Sequence, residues 1–541
     1  MLNKNFYFLV YLLEFYTFKV RLKINSLNYI SVSNLFKTKS LDNILANTPE
    51  EGKTMKRTLG AFNLTTLGIG AIIGAGIFVI TGSTAATYSG PAIVLSFILA
   101  GIACGFAGLC YAEFASMIPV SGSAYTYAYA TMGEFIAWII GWDLILEYIF
   151  AASTVAVGWS GYVVSFLKDF GIYINPELTA AWGTKLIHLP KEGWVELTDN
   201  LQKSLLASGQ NLAAFEQTQG ILNLPAVLAI GLLTMILYVG IQESAKFNNM
   251  MVVVKVIVIL LFIGIGFAFV NSENWFPFIP ENNGTFGEFG FSGVVKGAAT
   301  IFFAYIGFDT VSTAAQEAKN PQRDMPIGIL ASLAICTILY ILVALVLTGI
   351  VKYDQLNVSA PIALAVDSMG GGMKWFKYLI KIGAIAGLSS AMLVMLMGQP
   401  RIFYSMSMDG LLPKVFSHVH PKFKTPHVST LITGFWAMLI AGLVPMKILG
   451  DLVSIGTLLA FIIVCVGVLV LRYTKPNLNR PFKTPFIWVV ALGGVGSCLF
   501  QMVFLSKETW ERLIYWMAIG LVIYFVYGMR NSFLNKKEKG L

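Results

Sequence analysis

Ionisable side chains that could bind a proton interrupt several long apolar runs of the sequence. Lys255 lies in the run MVVVKVIVIL, Glu113 and Glu147 lie in two others, and Asp143 precedes Glu147 by four residues, on the same face of a helix. Charges are costly inside a membrane, and a buried amine without a partner tends to release its proton. Lys255 is therefore expected to lose its proton readily, with a purely structural pairing to a carboxylate as the alternative. Glu147 is expected to help hold or protonate a binding site. Glu113 is expected to brace the end of its helix.

The run GIGAIIGAGIF could do chemistry through its main chain. It contains four glycines, Gly68, Gly70, Gly74 and Gly76. Glycine weakens a helix, and a broken helix exposes N–H groups that bind a carboxylate and carbonyl groups that accept from an ammonium. Close helix packing through the GxxxG pair Gly70–Gly74 is the alternative explanation.

A second interrupted run favours the binding explanation. The run KGAATIFFAYIGFDTVSTAAQEAKNPQRDMP contains Gly307, and Asp309 follows two residues later. Secondary transporters built from inverted repeats place broken helices at matching positions of their two halves, with the substrate between them. Donors for a carboxylate and acceptors for an ammonium together describe a zwitterion, so the predicted substrate is an amino acid.

These residues must be positioned by helices that cross a membrane. Of the 541 residues, 56% are hydrophobic and 12% are charged, whereas a soluble domain carries about 25% charged residues. A helix that crosses a bilayer needs about 20 apolar residues. Twelve runs qualify: 60–81, 91–117, 135–167, 223–241, 247–271, 294–316, 326–351, 376–407, 427–445, 448–471, 485–505 and 510–529. The sequence therefore predicts an all-α polytopic membrane protein of twelve transmembrane helices.

The distribution of charge predicts the orientation of these helices and excludes several functions. Lys and Arg concentrate in the loops on the side of the N-terminus, which predicts cytoplasmic N- and C-termini. The net charge of +9 follows from this bias and does not indicate nucleic acid. The motif GxxxxGK[ST] is absent, the five cysteines lie inside apolar runs, and the four histidines lack ligand spacing. We therefore expect no cofactor, no metal and no catalytic residue, and transport driven by a gradient or by exchange.

The predicted parts of the chain follow the apolar runs. They are an N-terminal extension, either non-native or on the membrane surface (1–32), a cytoplasmic leader (33–57), spans one to five (58–271), spans six to ten (294–471), spans eleven and twelve (485–529) and a cytoplasmic tail (530–541).

Five long motifs of the chain resemble the amino acid–polyamine–organocation (APC) superfamily. They are GIGAIIGAGIFVITG, YAEFASMIPVSGSAYTYAYATMGE, DLILEYIFAASTVAVGWSGY, FFAYIGFDTVSTAAQEAKNPQRDMPIGI and MGQPRIFYSMSMDGLLPKVF. The motifs are most similar to those of bacterial members of the cationic amino acid transporter (CAT) family, and the resemblance covers the chain from about Ser33 to Arg530. It implies a 5+5 inverted-repeat (LeuT-like) fold with discontinuous helices one and six. Residues 58–271 and 294–471 would be the two repeats, and two extra C-terminal helices would lie outside them.

By position in these motifs, the resemblance implies a binding site made by the main chain. The carboxylate of the substrate would meet the N–H groups of Gly74, Ala75 and Gly76. The α-amino group would meet the carbonyls of Ile72, Phe303, Ala304 and Ile306. Such contacts would recognise the backbone of an amino acid and leave its side chain to other residues.

The resemblance also implies roles for side chains around that site. Asp309 is a candidate partner for the side chain of the substrate, and Met392 or Met395 in span eight would line its pocket. In many relatives with this fold a sodium ion lies between spans one, five and eight, whereas proton-coupled relatives place a lysine there. The corresponding lysine in this sequence is Lys255, so the resemblance implies that Lys255 is the coupling proton site.

Together these observations predict a secondary active amino acid transporter of the bacterial inner membrane. Proton-coupled symport or exchange is expected, with neutral or broad specificity, because a bulky methionine favours small substrates. A sodium-coupled symporter of the same fold and an amino-acid-sensing transceptor are the alternatives. A lipid-modifying enzyme is a further alternative, but it would need a cluster of His, Asp or Ser at a membrane face, and the sequence contains no such cluster. The expected partners are an amino acid, protons and the lipid bilayer, and the protein is expected as a monomer or with a small accessory membrane subunit.

Overall fold

The protein is described by a computed structural model that covers most of the chain. The described residues are 35–39, 59–118, 120, 122–189, 193–197, 201–202, 205–206, 211–239, 241–358, 360–423 and 425–538. The predicted N-terminal extension (1–32) lies outside the described residues.

Helices dominate the described part of the chain, and their apolar sequences account for this. In chain order the α-helices are α1 (Ala61–Ile72), α2 (Thr81–Thr84), α3 (Ile93–Met117), α4 (Ser123–Thr131), α5 (Glu134–Ile145), α6 (Ala151–Asp169), α7 (Leu224–Val239), α8 (Ile241–Gly266), α9 (Gly290–Ile301), α10 (Pro321–Ile350), α11 (Pro361–Ser368), α12 (Lys374–Met408), α13 (His427–Leu443), α14 (Met446–Thr474), α15 (Ile487–Val503), α16 (Lys507–Ile523), α17 (Met529–Asn531) and α18 (Phe533–Glu538). Tighter or wider helical turns extend some of them, notably π-helical turns at Gly76–Ile80, Ala85–Ser89 and Leu146–Phe150 and 3-10 turns at Phe302–Tyr305 and Asp309–Glu317.

Many of these helices are long and apolar enough to cross a membrane. Among the described residues, eight helical stretches meet this criterion by length and composition, one of them a 57-residue stretch from Ala61 to Met117. Three shorter apolar helices, α7, α13 and α15, add to them. The long stretch contains two predicted spans and is interrupted at Gly90, whose φ of +58° favours glycine. Each of the twelve predicted spans overlaps a helix of the structure.

A small β-sheet lies in the loop between α6 and α7. Strand β1 (Lys185–Leu189) pairs antiparallel with β2 (Gly193–Glu196) and β3 (Gln217–Gln219), in the order β2-β1-β3. Burial raises the pKa of the Glu196 carboxyl, and the charge of Lys447, near the start of α14, opposes this shift.

The long helices pack so that α1 is enclosed. Helix α10 lies against both α1 and α3, and α12 lies against α1, α6 and α8. At the start of α12, Lys377 forms ion pairs with Asp169 of α6 (3.3 Å) and Asp367 of α11 (2.9 Å), and the neighbouring Lys381 also pairs with Asp169. The bases at this end of α12 are thus neutralised by acids from two other helices.

Candidate functional site

Both stretches that the sequence predicts to be interrupted are interrupted in the structure. Helix α1 ends at Ile72, Ile73 is extended with a ψ of 95°, and helical structure resumes as a π-helical turn at Gly76. The second interruption follows α9: Ile306 is extended with a ψ of 135°, and Gly307 has a φ of +118°, which strains any residue other than glycine. Helix ends leave N–H and carbonyl groups without intrahelical partners, so each interruption supplies free main-chain polar groups.

The two interruptions touch each other, and glycine makes this contact feasible. A Cβ atom placed on Gly76 would lie 2.3 Å from the Cβ and 2.4 Å from the Cα of Ala304. A Cβ on Gly307 would lie 2.8 Å from the Cβ of Ala71. The residues around the contact are buried, with Ala75 at 0% and Ala304 at 1% exposure. The predicted contributors from α1 and from the segment after α9 are therefore brought together.

The four glycines of the run GIGAIIGAGIF have two different structural roles. A Cβ on Gly68 would collide with Ser332 of α10, and one on Gly70 would lie 3.0 Å from Val252 of α8. These two glycines therefore allow close helix packing. Gly76 instead faces the second interruption, and Gly74 faces Ala391 of α12 at 3.1 Å. The packing and binding explanations each apply to part of the stretch.

Lys255 is tied to the first interruption by three hydrogen bonds. Its ammonium donates to the carbonyls of Gly70 (2.6 Å) and Ile73 (2.8 Å) and to the hydroxyl of Ser390 on α12 (2.9 Å). Lys255 is fully buried, and no carboxylate of the described residues lies within ion-pair distance of it. An ammonium has three donors, so these partners satisfy it completely. The structure therefore favours an amine that caps a broken helix over a structural ion pair.

Tyr340 of α10 joins the two interruptions. Its hydroxyl lies 2.7 Å from the carbonyl oxygen of Ile72 and 2.7 Å from that of Ala304. A hydroxyl donates one proton, so it can satisfy only one of these oxygens at a time. Two carbonyls from different helices thus converge on one point. Of the other predicted acceptors, the Phe303 carbonyl already accepts from the Ile306 N–H at 3.3 Å.

The predicted side-chain residues lie at different places around the interruptions. The Met395 methyl carbon is 3.0 Å from the position that a Cβ of Gly307 would occupy, so Met395 reaches the second interruption. Met392 is fully buried on the same helix, about one turn away. Asp309 begins the 3-10 turn after Gly307 and accepts a hydrogen bond from the Tyr148 hydroxyl at 3.1 Å. Glu147 lies in the π-helical turn that precedes α6, is buried, and interacts electrostatically with Asp309.

Comparison with known proteins identifies the family of this chain. A sequence profile described as "Amino acid permease" matches residues 59–524. The chain belongs to the amino acid permease family. The resemblance to the APC superfamily is thereby confirmed, and the chain is a multi-pass membrane transporter rather than an enzyme.

Individual relatives of this permease have different names. A methylthioribose transporter of Bacillus subtilis (strain 168) is 45% identical over 505 residues, covering 93% of this chain and 100% of the relative. A branched-chain amino acid permease of the same organism is 46% identical over 504 residues, covering 93% of this chain and 99% of the relative. A vacuolar cationic amino acid transporter 4 of Arabidopsis thaliana is 37% identical over 448 residues, which is 82% of this chain and 68% of the relative. Two relatives of nearly equal identity are thus named for different substrates.

Sequence reasoning missed two residues of the permease site. Tyr340 and Ser390 each place a hydroxyl against the interruption of α1. Ser390 lies in the serine pair of GLSSAM, and Tyr340 follows the apolar segment ICTIL. A hydroxyl in a membrane helix needs a polar partner, so the sequence could have marked both residues as groups that need a partner, but not the partner that each one has.

The remaining charged residues of the permease brace the ends of its helices. Glu113 accepts from Arg472 at 3.0 and 2.5 Å and lies 3.3 Å from Arg480, so it stabilises the end of α3 as the sequence predicted. Elsewhere, Arg401 of α12 pairs with Glu317 at 2.7 Å. Lys39, in the predicted leader, pairs with Asp409 at 2.7 Å.

Proposed function

We propose that this permease is a proton-coupled symporter or exchanger of L-amino acids, with neutral or broad side-chain specificity. The name of the branched-chain amino acid permease supports a neutral substrate. The name of the methylthioribose transporter is a reason to test that compound as well. The observation that carries the proposal is the position of the Lys255 ammonium inside the interruption of α1.

In this proposal the two interruptions bind the two charged ends of the amino acid. The N–H groups of Gly74, Ala75 and Gly76 bind the carboxylate, because they begin the helical turn after the first interruption. The carbonyls of Ile72 and Ala304 bind the ammonium, together with those of Phe303 and Ile306. The convergence of the first two oxygens on the Tyr340 hydroxyl supports this assignment, since an ammonium needs several acceptors around one point.

Lys255 then takes the place that a coupling cation would occupy. The Gly70 and Ile73 carbonyls and the Ser390 hydroxyl are hard oxygen donors of the kind that alkali cations use, and the lysine nitrogen already occupies their centre. Protonation would keep the end of α1 capped, and loss of the proton would weaken the cap. Proton binding at Lys255, assisted by Glu147, would thereby alter the geometry of the substrate site.

The wider architecture belongs to the same proposal. Twelve transmembrane helices form two five-helix inverted repeats at 58–271 and 294–471, followed by two further helices at 485–529. Both termini are cytoplasmic, and the membrane is the bacterial inner membrane. The overlap of each predicted span with a helix supports this arrangement.

Reconstitution in liposomes tests the proposed function. The purified permease is given an inward proton gradient and labelled alanine, leucine, lysine, arginine or methylthioribose, with and without sodium. We expect accumulation of a neutral amino acid without sodium and its loss when a protonophore collapses the gradient. Accumulation that requires sodium and resists the protonophore would contradict proton coupling. Binding of amino acids without any uptake would favour a transceptor.

The side chain of Met395 is predicted to set the size limit of the substrate. Met395→Ser removes the methyl group next to Gly307 and opens volume beside the second interruption. We expect the ratio of arginine uptake to alanine uptake to rise about tenfold, the scale of discrimination that a few buried methylene groups provide. Met392→Ser is the matched control on the same helix and should leave the ratio unchanged. An unchanged ratio in Met395→Ser would contradict this role.

A further inference from the structure

Three buried acids form a group beside the second interruption. Asp143 and Glu147 are each 1% exposed, and Asp309 is 0% exposed. The Glu147 and Asp309 side chains are close enough to interact with each other, and Asp143 is close enough to Glu147 to interact electrostatically. The group therefore joins helix α5, the π-helical turn that follows it and the segment after Gly307.

The three acids have few of the partners that ionised carboxylates require. Within the described residues, neither oxygen of Asp143, neither oxygen of Glu147 and one oxygen of Asp309 has a hydrogen-bond donor. The other oxygen of Asp309 receives the Tyr148 hydroxyl. Glu113 differs sharply, since two arginines and the Thr484 N–H surround it. Glu113 is thus neutralised by cations, and the three acids are not.

The other groups that face the acids also bring no positive charge. Asp309 interacts with Tyr148 and, at longer range, with Tyr111, Tyr127 and Cys104. The Tyr111 hydroxyl is fully buried, interacts with both Asp309 and Glu147, and has no hydrogen-bond partner in the described part of the chain.

On its other side, Asp143 packs against helix α14. The Asp143 Oδ1 atom lies 3.1 Å from the position of a Cβ on Gly456. No Lys or Arg of the described residues lies within ion-pair distance of Asp143.

Two carboxylates in contact inside a protein cannot both remain ionised. Their repulsion and the cost of burying charge favour one proton held between them, as an O–H···O hydrogen bond. Such a bond would provide the missing donor for the contact between Glu147 and Asp309. A π-helical turn at Leu146–Phe150 places Glu147 at this contact, and such turns are frequent at functional sites.

We propose that Glu147 and Asp309 form a second proton-binding site, distinct from Lys255, and that Asp143 is the group to which this site passes its proton. The proposal rests on the proposed proton coupling. In the transfer, the O–H bond of Glu147 breaks as an O–H bond forms on Asp143, and a proton supplied by the gradient forms a new O–H bond on Glu147, so that the pair is not left with two ionised carboxylates. Asp143 is four residues from Glu147, about 6 Å along the helix, and leads toward the end of α5 at Glu134.

Infrared spectroscopy of the purified permease tests the site directly. A protonated carboxyl group has a carbonyl stretch that a carboxylate lacks, and deuterium exchange shifts it. We expect this band at neutral pH in the wild type, and its loss in Glu147→Gln and in Asp309→Asn. The band should persist in Lys255→Gln and in Asp354→Asn, which changes a half-exposed surface acid. A wild type without the band at neutral pH would overturn the proposal.

Transport by Asp143→Asn tests the relay. We expect accumulation driven by a pH gradient to fall about tenfold, while exchange of labelled substrate without a gradient stays within about twofold and shows that the variant is folded. An equal loss of both activities, or no loss of either activity, would overturn the role of Asp143. If the wild type shows the infrared band but no proton-driven uptake, the proposed proton-coupled transport is wrong, whereas the proton shared by Glu147 and Asp309 is supported.

Discussion

Lys255→Ala is expected to abolish accumulation of substrate against a pH gradient, with a fall of at least about hundredfold. The substitution removes the proposed proton carrier and leaves the carbonyls of Gly70 and Ile73 without their donor. Each unsatisfied buried carbonyl costs about 1–3 kcal/mol, so the interruption of α1 should also lose stability. Uptake in liposomes under an imposed proton gradient measures the first effect, and thermal unfolding of the purified permease measures the second.

Two further variants distinguish the role of Lys255 as a proton carrier from its role as a hydrogen-bond donor that caps the end of α1. Lys255→Gln retains N–H donors but cannot carry a positive charge, so it should recover part of the thermal stability and none of the gradient-driven accumulation. Lys352→Ala is the matched control, because Lys352 is 56% exposed and, among the described residues, its ion pair is with the surface residue Asp354 at 3.8 Å. Undiminished accumulation in Lys255→Ala would refute the assignment of the coupling proton.

The sequence predicts Lys255 and the interruptions because their signals are local. A lysine with four apolar residues on each side is costly at any position in the membrane. Clustered glycines weaken a helix whatever packs against it. The location of each predicted span follows in the same way from a continuous apolar run. These features can be predicted without knowledge of the neighbours in space.

The partners of those residues depend on contacts between distant parts of the chain. Tyr340 is 268 residues from Ile72, and Ser390 is 135 residues from Lys255. Nothing in the local pattern around Tyr340 distinguishes a hydroxyl at an interruption from one at the lipid surface. The same holds for Asp309, because its interaction with Glu147 depends on how the segment after Gly307 packs against the π-helical turn at Leu146–Phe150. Sequence therefore predicts which groups need partners, and the fold decides which partners they receive.

Gly76→Ala is expected to have the other large effect, a loss of substrate exchange of about hundredfold. The new Cβ would lie 2.4 Å from the Cα of Ala304, whereas carbon atoms in contact are about 3.5–4.0 Å apart. Because the obstructing atom belongs to the main chain, no side-chain rotation relieves the collision. The two interruptions must move apart by about 1 Å, and such a displacement of positioning groups costs about two orders of magnitude in rate.

Two other glycines serve as matched controls for this steric argument. Gly105→Ala lies inside α3, where a Cβ meets nothing within 4 Å, so it should leave exchange unchanged. Gly74→Ala places its Cβ 3.1 Å from Ala391, a milder contact with a side chain, and should fall between the other two. Equal activity in all three variants would mean that the interruptions can separate freely. A graded loss that follows the three distances, with unchanged thermal unfolding of Gly76→Ala, would locate the effect in the contact between Gly76 and Ala304, where the proposed carboxylate donors meet the proposed ammonium acceptors.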